Sequence, residues 1–249
     1  MGVDVHAKKL RGEMGVTKPP FLPTSAFEHL SVSFQERPLD SCLGMTIRVN
    51  GMIGVLVSSE IAESGRKVFT AAHELGHVVI PSHAKIDTFK CAERDFNILN
   101  TTGVKPLERE ANEFAAEWLM PTEFIKAYSR SELDFDVISD FAETFGVSLT
   151  AAAIRLVGIT QQDMMLVVSE NGFMKYSVRS KDFPYYLDFG KLPPTYALRA
   201  SKDGKSQREF MAVSSDNWFK GRQPESDEVY ECSIKLGSYG TVLTMLWVE

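Results

Sequence analysis

Val68-Phe69-Thr70-Ala71-Ala72-His73-Glu74-Leu75-Gly76-His77-Val78-Val79-Ile80 is the stretch that organises this chain. Its apolar flanks predict one helix, and Glu74 is the only acidic or basic side chain in it besides the two histidines. On a helix, residues i and i+4 stand one above the other on the same face. His73 and His77 can therefore turn two imidazole nitrogens toward one metal ion. Glu74, one step round the helix, lies beside such an ion and can move a proton for it. His-Glu-x-x-His in this setting reads as a zinc-hydrolase signature, taken here as a peptidase site. The bland alternative is a buried helix with core histidines. Burying His, Glu and His on one apolar helix without partners would be costly, which weighs against it.

Such a site needs a third protein ligand. Leu107-Glu108-Arg109-Glu110-Ala111-Asn112-Glu113-Phe114-Ala115-Ala116-Glu117-Trp118-Leu119-Met120-Pro121 has its apolar residues at helical spacing, with Pro121 marking the end. Glu108 and Asn112 are again i and i+4. A carboxylate with an amide one turn on resembles the gluzincin arrangement. In that arrangement Glu108 binds the metal and Asn112 orients a ligating histidine from behind. Glu110 is the fallback ligand. His83 is a rival, ten residues after His73, at the spacing HExxHxxGxxH of metzincins. The glycine of that pattern is replaced here by Ile80, followed by Pro81, so Glu108 is preferred.

Taken together, Phe69-Thr70-Ala71-Ala72-His73-Glu74-Leu75-Gly76-His77 and Glu108-x-x-Ala111-Asn112-x-Phe114-Ala115-Ala116-x-x-Leu119-Met120-Pro121 resemble the ImmA/IrrE family of metallopeptidases. Leu166 to Gly172 and Gly240 to Trp247 look like that family's C-terminal segments, so the likeness runs over roughly residues 25 to 249. It implies a cytoplasmic zinc endopeptidase (manganese being the other metal to consider). The implied partner is a helix-turn-helix repressor, cut to release stress-response or mobile-element genes. It further implies a small sheet beside the active-site helix, with an edge strand able to pair with extended substrate. Many members carry a helix-turn-helix domain ahead of the peptidase, and none is expected here. The alternative is a regulatory protein that sequesters such a repressor without cutting it.

Composition agrees with a globular chain of 249 residues, 44% hydrophobic and 24% charged. No apolar run approaches the roughly 18 residues of a membrane span, and the N-terminus has no secretory apolar core. Cys42, Cys91 and Cys232 are odd in number and far apart, which implies no disulfide framework. Cys91 as a thiolate that coordinates the metal and keeps the enzyme latent is weighed against inert packing. A net charge of -6 disfavours a broad nucleic-acid surface. Between Leu107 and Glu143 ten acidic residues stand against Arg109, Lys126 and Arg130. That excess reads as a solvated face, or as an attraction for a basic partner.

The expected fold class is α+β: a helical zincin-like core with a small sheet, then a β-rich C-terminal module. Residues 1–24 read as an N-terminal arm, 25–160 as the metallopeptidase domain and 161–249 as the β-rich domain. A helix is expected from Ser25 to about Phe34, hairpins at Asn50-Gly51 and Asn171-Gly172, and a turn at Asn100–Gly103. Ser131–Phe145 and Ala151–Val157 form two helices across Gly146. They superficially resemble a helix-turn-helix, but the second offers only Arg155 to nucleic acid, so packing is the expected role.

Overall fold

Asn50 and Gly51 both take left-handed backbone, with φ of 52° and 79°. This is the two-residue geometry that matches the twist of paired strands. The turn joins two strands of a mixed sheet, and that sheet carries half of the site. The computed structural model describes residues 2–92, 95, 105–237 and 240–249; the Asn100–Gly103 turn lies outside them. Two compact units divide the chain: Met1–Ile125 with Asp140–Leu149, and Lys126–Ser139 with Thr150–Glu249.

The first unit contains α1 (Val3–Met14), α2 (Pro23–His29), β1 (Ser33–Arg37), β2 (Gly44–Val49), β3 (Met52–Ser58), α3 (Ser64–Val79), β4 (Thr88–Cys91), α4 (Pro106–Leu119) and α5 (Thr122–Ile125). Its sheet runs β1-β3-β2-β4, with β1 parallel to β3 and the other pairs antiparallel. Helices α3 and α4 cross where Gly76 meets Ala111. A Cβ at Gly76 would stand 3.2 Å from Ala111 Cα and 3.3 Å from its carbonyl oxygen. Buried Phe27, Leu75, Phe114, Trp118 and Leu119 fill this core.

Residues 1–24 are not a loose arm. Ala7 and Leu10, at helical spacing, bury one face of α1, which packs on α4. Gly15 ends the helix in left-handed conformation (φ 67°). Arg11 on this helix is buried, and its Nη1 donates to the Glu117 carbonyl at 2.8 Å. The helix expected from Ser25 to Phe34 stops at His29. Phe34 instead enters β1 and stacks on Phe27, ring centroids 5.1 Å apart. Tertiary pairing with β3 wins over local propensity there.

Helices α6 (Phe135–Phe145) and α7 (Leu149–Val157) follow. The second unit holds β5 (Met164–Glu170), β6 (Phe173–Arg179), α8 (Tyr196–Asp203), β7 (Gln207–Ser214), β8 (Glu228–Leu236) and β9 (Thr241–Trp247). The strands form one antiparallel sheet in the order β6-β5-β9-β8-β7. Asn171-Gly172 makes the expected turn, with φ of 52° and 82°. Buried Glu231 accepts hydrogen bonds from Thr195, Ser233, the Ala197 N–H and Trp218 Nε1, tying the start of α8 to β8. The fold is α+β, a helical core followed by a β-rich C-terminal sheet. No single helix among the described residues is long and apolar enough to cross a membrane.

Candidate metal centre

Period-two alternation in β2 turns Gly44, Thr46 and Arg48 toward α3. Arg48 donates to the His77 carbonyl, an acceptor left bare in the last turn of α3, and at 2.9 Å to the Ile86 carbonyl. Thr46 Oγ1 donates to Glu74 Oε2 at 2.6 Å. Gly44 leaves space for the same side chain, since a Cβ there would lie 2.3 Å from Glu74 Oε1. Strand β4 adds its inward pair, Phe89 and Cys91, opposite Thr46 and Gly44. Phe89 stacks on the His77 ring at 3.8 Å between centroids.

Against this wall, α3 and α4 bring together the residues expected from the two helical motifs. His73 Nε2 lies 3.1 Å from Glu108 Oε2, His77 Nε2 lies 3.2 Å from the same oxygen, and the two Nε2 atoms are 3.0 Å apart. Cys91 Sγ stands 3.4 Å from His77 Nε2 and 3.5 Å from Glu108 Oε2. Ligand atoms of His73, His77, Cys91 and Glu108 all fall within 4.8 Å of one another, and all four residues are buried.

The surrounding hydrogen bonds orient both imidazoles. Asn112 Nδ2 donates to the Asp95 carbonyl at 2.7 Å, so Asn112 Oδ1 faces His73 Nδ1, 2.8 Å away. Asn112 Oδ1 accepts from His73 Nδ1–H, which leaves His73 Nε2 facing the cluster. His83 does not join the cluster; its Nδ1 lies 2.9 Å behind His77 Nδ1. Glu110, the fallback ligand, is 3.1 Å from His83 Nε2. That carboxylate accepts a hydrogen bond from His83 Nε2–H, which leaves His83 Nδ1 to accept from His77 Nδ1–H. His77 Nε2 then faces the cluster as well. Burial lowers His77 to about 4 and also lowers His83, which keeps both rings neutral at pH 7.

Residues 28–157 match the family model of a peptidase family, described as the IrrE N-terminal-like domain. The chain belongs to that family. A Mycobacterium tuberculosis transcriptional regulator of known structure is similar over 98% of this chain and 74% of its own, with a TM-score of 0.56 and 15% identity. At that identity the likeness is one of fold. No curated protein matches the chain.

Two imidazole nitrogens and a carboxylate oxygen converge within 3.2 Å, an arrangement of lone pairs that a cation between them would stabilise. A tetrahedral ion with bonds of about 2.0–2.3 Å sets its ligand atoms roughly 3.3–3.8 Å apart. Five of the six separations, 3.0–3.5 Å, come close to that spacing, and all six lie within 4.8 Å. The donor set, nitrogen, oxygen and sulfur, also suits zinc. These residues fit a metal ion of the kind a metallopeptidase family employs. Glu74 is fully buried beside them, and burial raises its carboxyl to about 7, with His73 and the Thr46 hydroxyl only partly offsetting the shift. Among the described residues its Oε1 meets no hydrogen-bond donor at bonding distance. Gly44, Thr46, Phe89 and the His83–Glu110 pair carry no motif that marks them in the sequence. Only the strand alternation after Leu43 could have hinted at the first two.

Proposed function

We propose that this chain is a zinc-dependent endopeptidase in which His73, His77 and Glu108 are the metal ligands, Asn112 orients His73, and Glu74 is the general base. The observation that carries this reading is the convergence of two Nε2 atoms on one carboxylate oxygen, with the buried Glu74 next in sequence to His73. A divalent cation held there supplies Lewis acidity, polarising the scissile carbonyl and making an adjacent water acidic. Thr46 fixes Glu74 through Oε2 and leaves Oε1 free to take the proton of the attacking water. Glu74 then delivers that proton to the leaving amine, as a general acid. Aligning base, water and carbonyl in one buried site is where most of the rate gain arises.

The substrate in this reading is a helix-turn-helix repressor. Support comes from the motif resemblance to ImmA/IrrE proteins and from a structural relative that is itself called a transcriptional regulator. The test is intact-mass analysis of a co-encoded repressor, co-expressed with wild-type protein and with Glu74→Gln. Cleavage at one bond by the wild type and none by a folded, metal-loaded Glu74→Gln protein is the expected result. Equal cleavage by both removes Glu74 from the mechanism. An intact repressor that co-purifies with every variant points to sequestration without cutting.

A further inference from the structure

A peptidase needs three protein ligands and one position open to water, whereas centres with four protein ligands are closed and structural. The cluster here offers four. We propose that Cys91 Sγ, as thiolate, is the fourth metal ligand and fills the position that catalysis requires, so that the resting protein is latent. The latency half rests on the peptidase reading above; the ligation half does not.

A buried cysteine is ordinarily inert packing among apolar atoms. Cys91 is placed otherwise. Its sulfur faces His77 Nε2 at 3.4 Å and Glu108 Oε2 at 3.5 Å, within the span of one tetrahedral ion. The strand register aims it there. Cys91 pairs with Gly44, whose missing side chain leaves room for Glu74 beside it. Phe89, two residues earlier on the same face, stacks on His77 and fixes the strand against the ligand ring. A neutral thiol donating to Glu108 is the competing arrangement, but a cation that binds the other three atoms would ionise a thiol at this distance.

The same strand provides the means of release. β4 is four residues long and, among the described residues, lies at the sheet edge and pairs with β2 alone. Edge strands of this length detach more readily than central ones. With a cation bound, opening the site would let water replace the sulfur; the thiolate would take up a proton from solvent, and no electron would be transferred. Withdrawal of Cys91 therefore converts a closed centre into one with an open position.

Zinc K-edge X-ray absorption on the full-length protein tests ligation without reference to turnover. Wild type should show one sulfur at about 2.3 Å among nitrogen and oxygen ligands. Cys91→Ala and Cys91→Ser should lose that shell, and Cys42→Ala should keep it. Cobalt substitution should agree, giving a sulfur-to-cobalt charge-transfer band that disappears in both Cys91 variants. Cys91→Ala should also cleave a co-expressed repressor faster than wild type, and the Cys91→Ala, Glu74→Gln double variant should not cleave it. A wild-type spectrum with no sulfur overturns the proposal whether or not cleavage is seen. A sulfur shell with no gain of cleavage in Cys91→Ala overturns latency. If, in addition, no variant cuts, that outcome counts against the peptidase reading and leaves Cys91 as a ligand of a closed centre.

Discussion

Glu74 is held by two features of one strand, a hydroxyl that binds one oxygen and a glycine that makes way for the other. Gly44→Ala would place a methyl group 2.3 Å from Glu74 Oε1, so the carboxylate must rotate away. Its expected effect is a fall in kcat of about 10²-fold, the size associated with a misplacement of roughly 1 Å. Metal content should be unchanged, and parallel assays of turnover and bound zinc would check both. On the other side of the cluster, Asn112 fixes the tautomer of His73 through the Asp95 carbonyl. Asn112→Ala should weaken metal affinity by about 10–100-fold, as measured by competition with a chromophoric chelator. His83→Phe removes the acceptor behind His77 and should act in the same direction. A metal affinity unchanged in both would mean that the ligating imidazoles need no orienting partner.

Two helices and a strand meet at the centre, and how closely they meet sets its dimensions. Gly76 lets α3 approach α4 at the level of Ala111, one turn from Glu108 on its own helix. A Cβ at Gly76 would stand 3.2 Å and 3.3 Å from Ala111 backbone atoms, which cannot move as a flexible side-chain end would. Gly76→Ala should cost about 1–3 kcal/mol of stability through overpacking, despite the better helix propensity of alanine. Denaturant midpoints would show it. Since Glu108 rides on α4, the same substitution should also lower metal affinity; a stable Gly76→Ala protein with normal zinc binding would contradict this account of the crossing. The acidic run from Leu107 to Glu143 is partly consumed in the fold. Glu108 lies in the cluster, Glu110 serves His83, Glu117 binds Thr122, and Asp136 pairs with Arg208. Fewer of these charges than the sequence suggested are left to attract a basic partner.

At the scale of the whole molecule, metal binding should couple to folding. A ligand at 100 times its Kd stabilises the native state by about 2.7 kcal/mol. Stripping the ion with a chelator should therefore lower Tm, and re-adding zinc should restore it. In the second unit, burial raises the Glu231 carboxyl despite four donors around it. A raised folded-state pKa means stability that is present below the ordinary carboxylate range and lost as pH rises through the folded value. Glu231→Gln should remove that part of the pH slope. It should also lower stability by about 1–3 kcal/mol, because an amide cannot accept from every donor that now surrounds the carboxylate. Thermal melts across pH would separate the two effects. The sequence alone determined much of this protein. Local rules decide the α3 and α4 periodicity, the i and i+4 pairs His73/His77 and Glu108/Asn112, and both Asn-Gly turns, so those features are readable residue by residue. Tertiary structure decided the rest. That β4 and β1 exist, that Arg11 is buried, that His83 backs His77 and that Cys91 reaches the cluster depend on atoms far apart in the chain. Short edge strands and single inward side chains carry too little local pattern to be read. Their energies come from partners that only folding supplies.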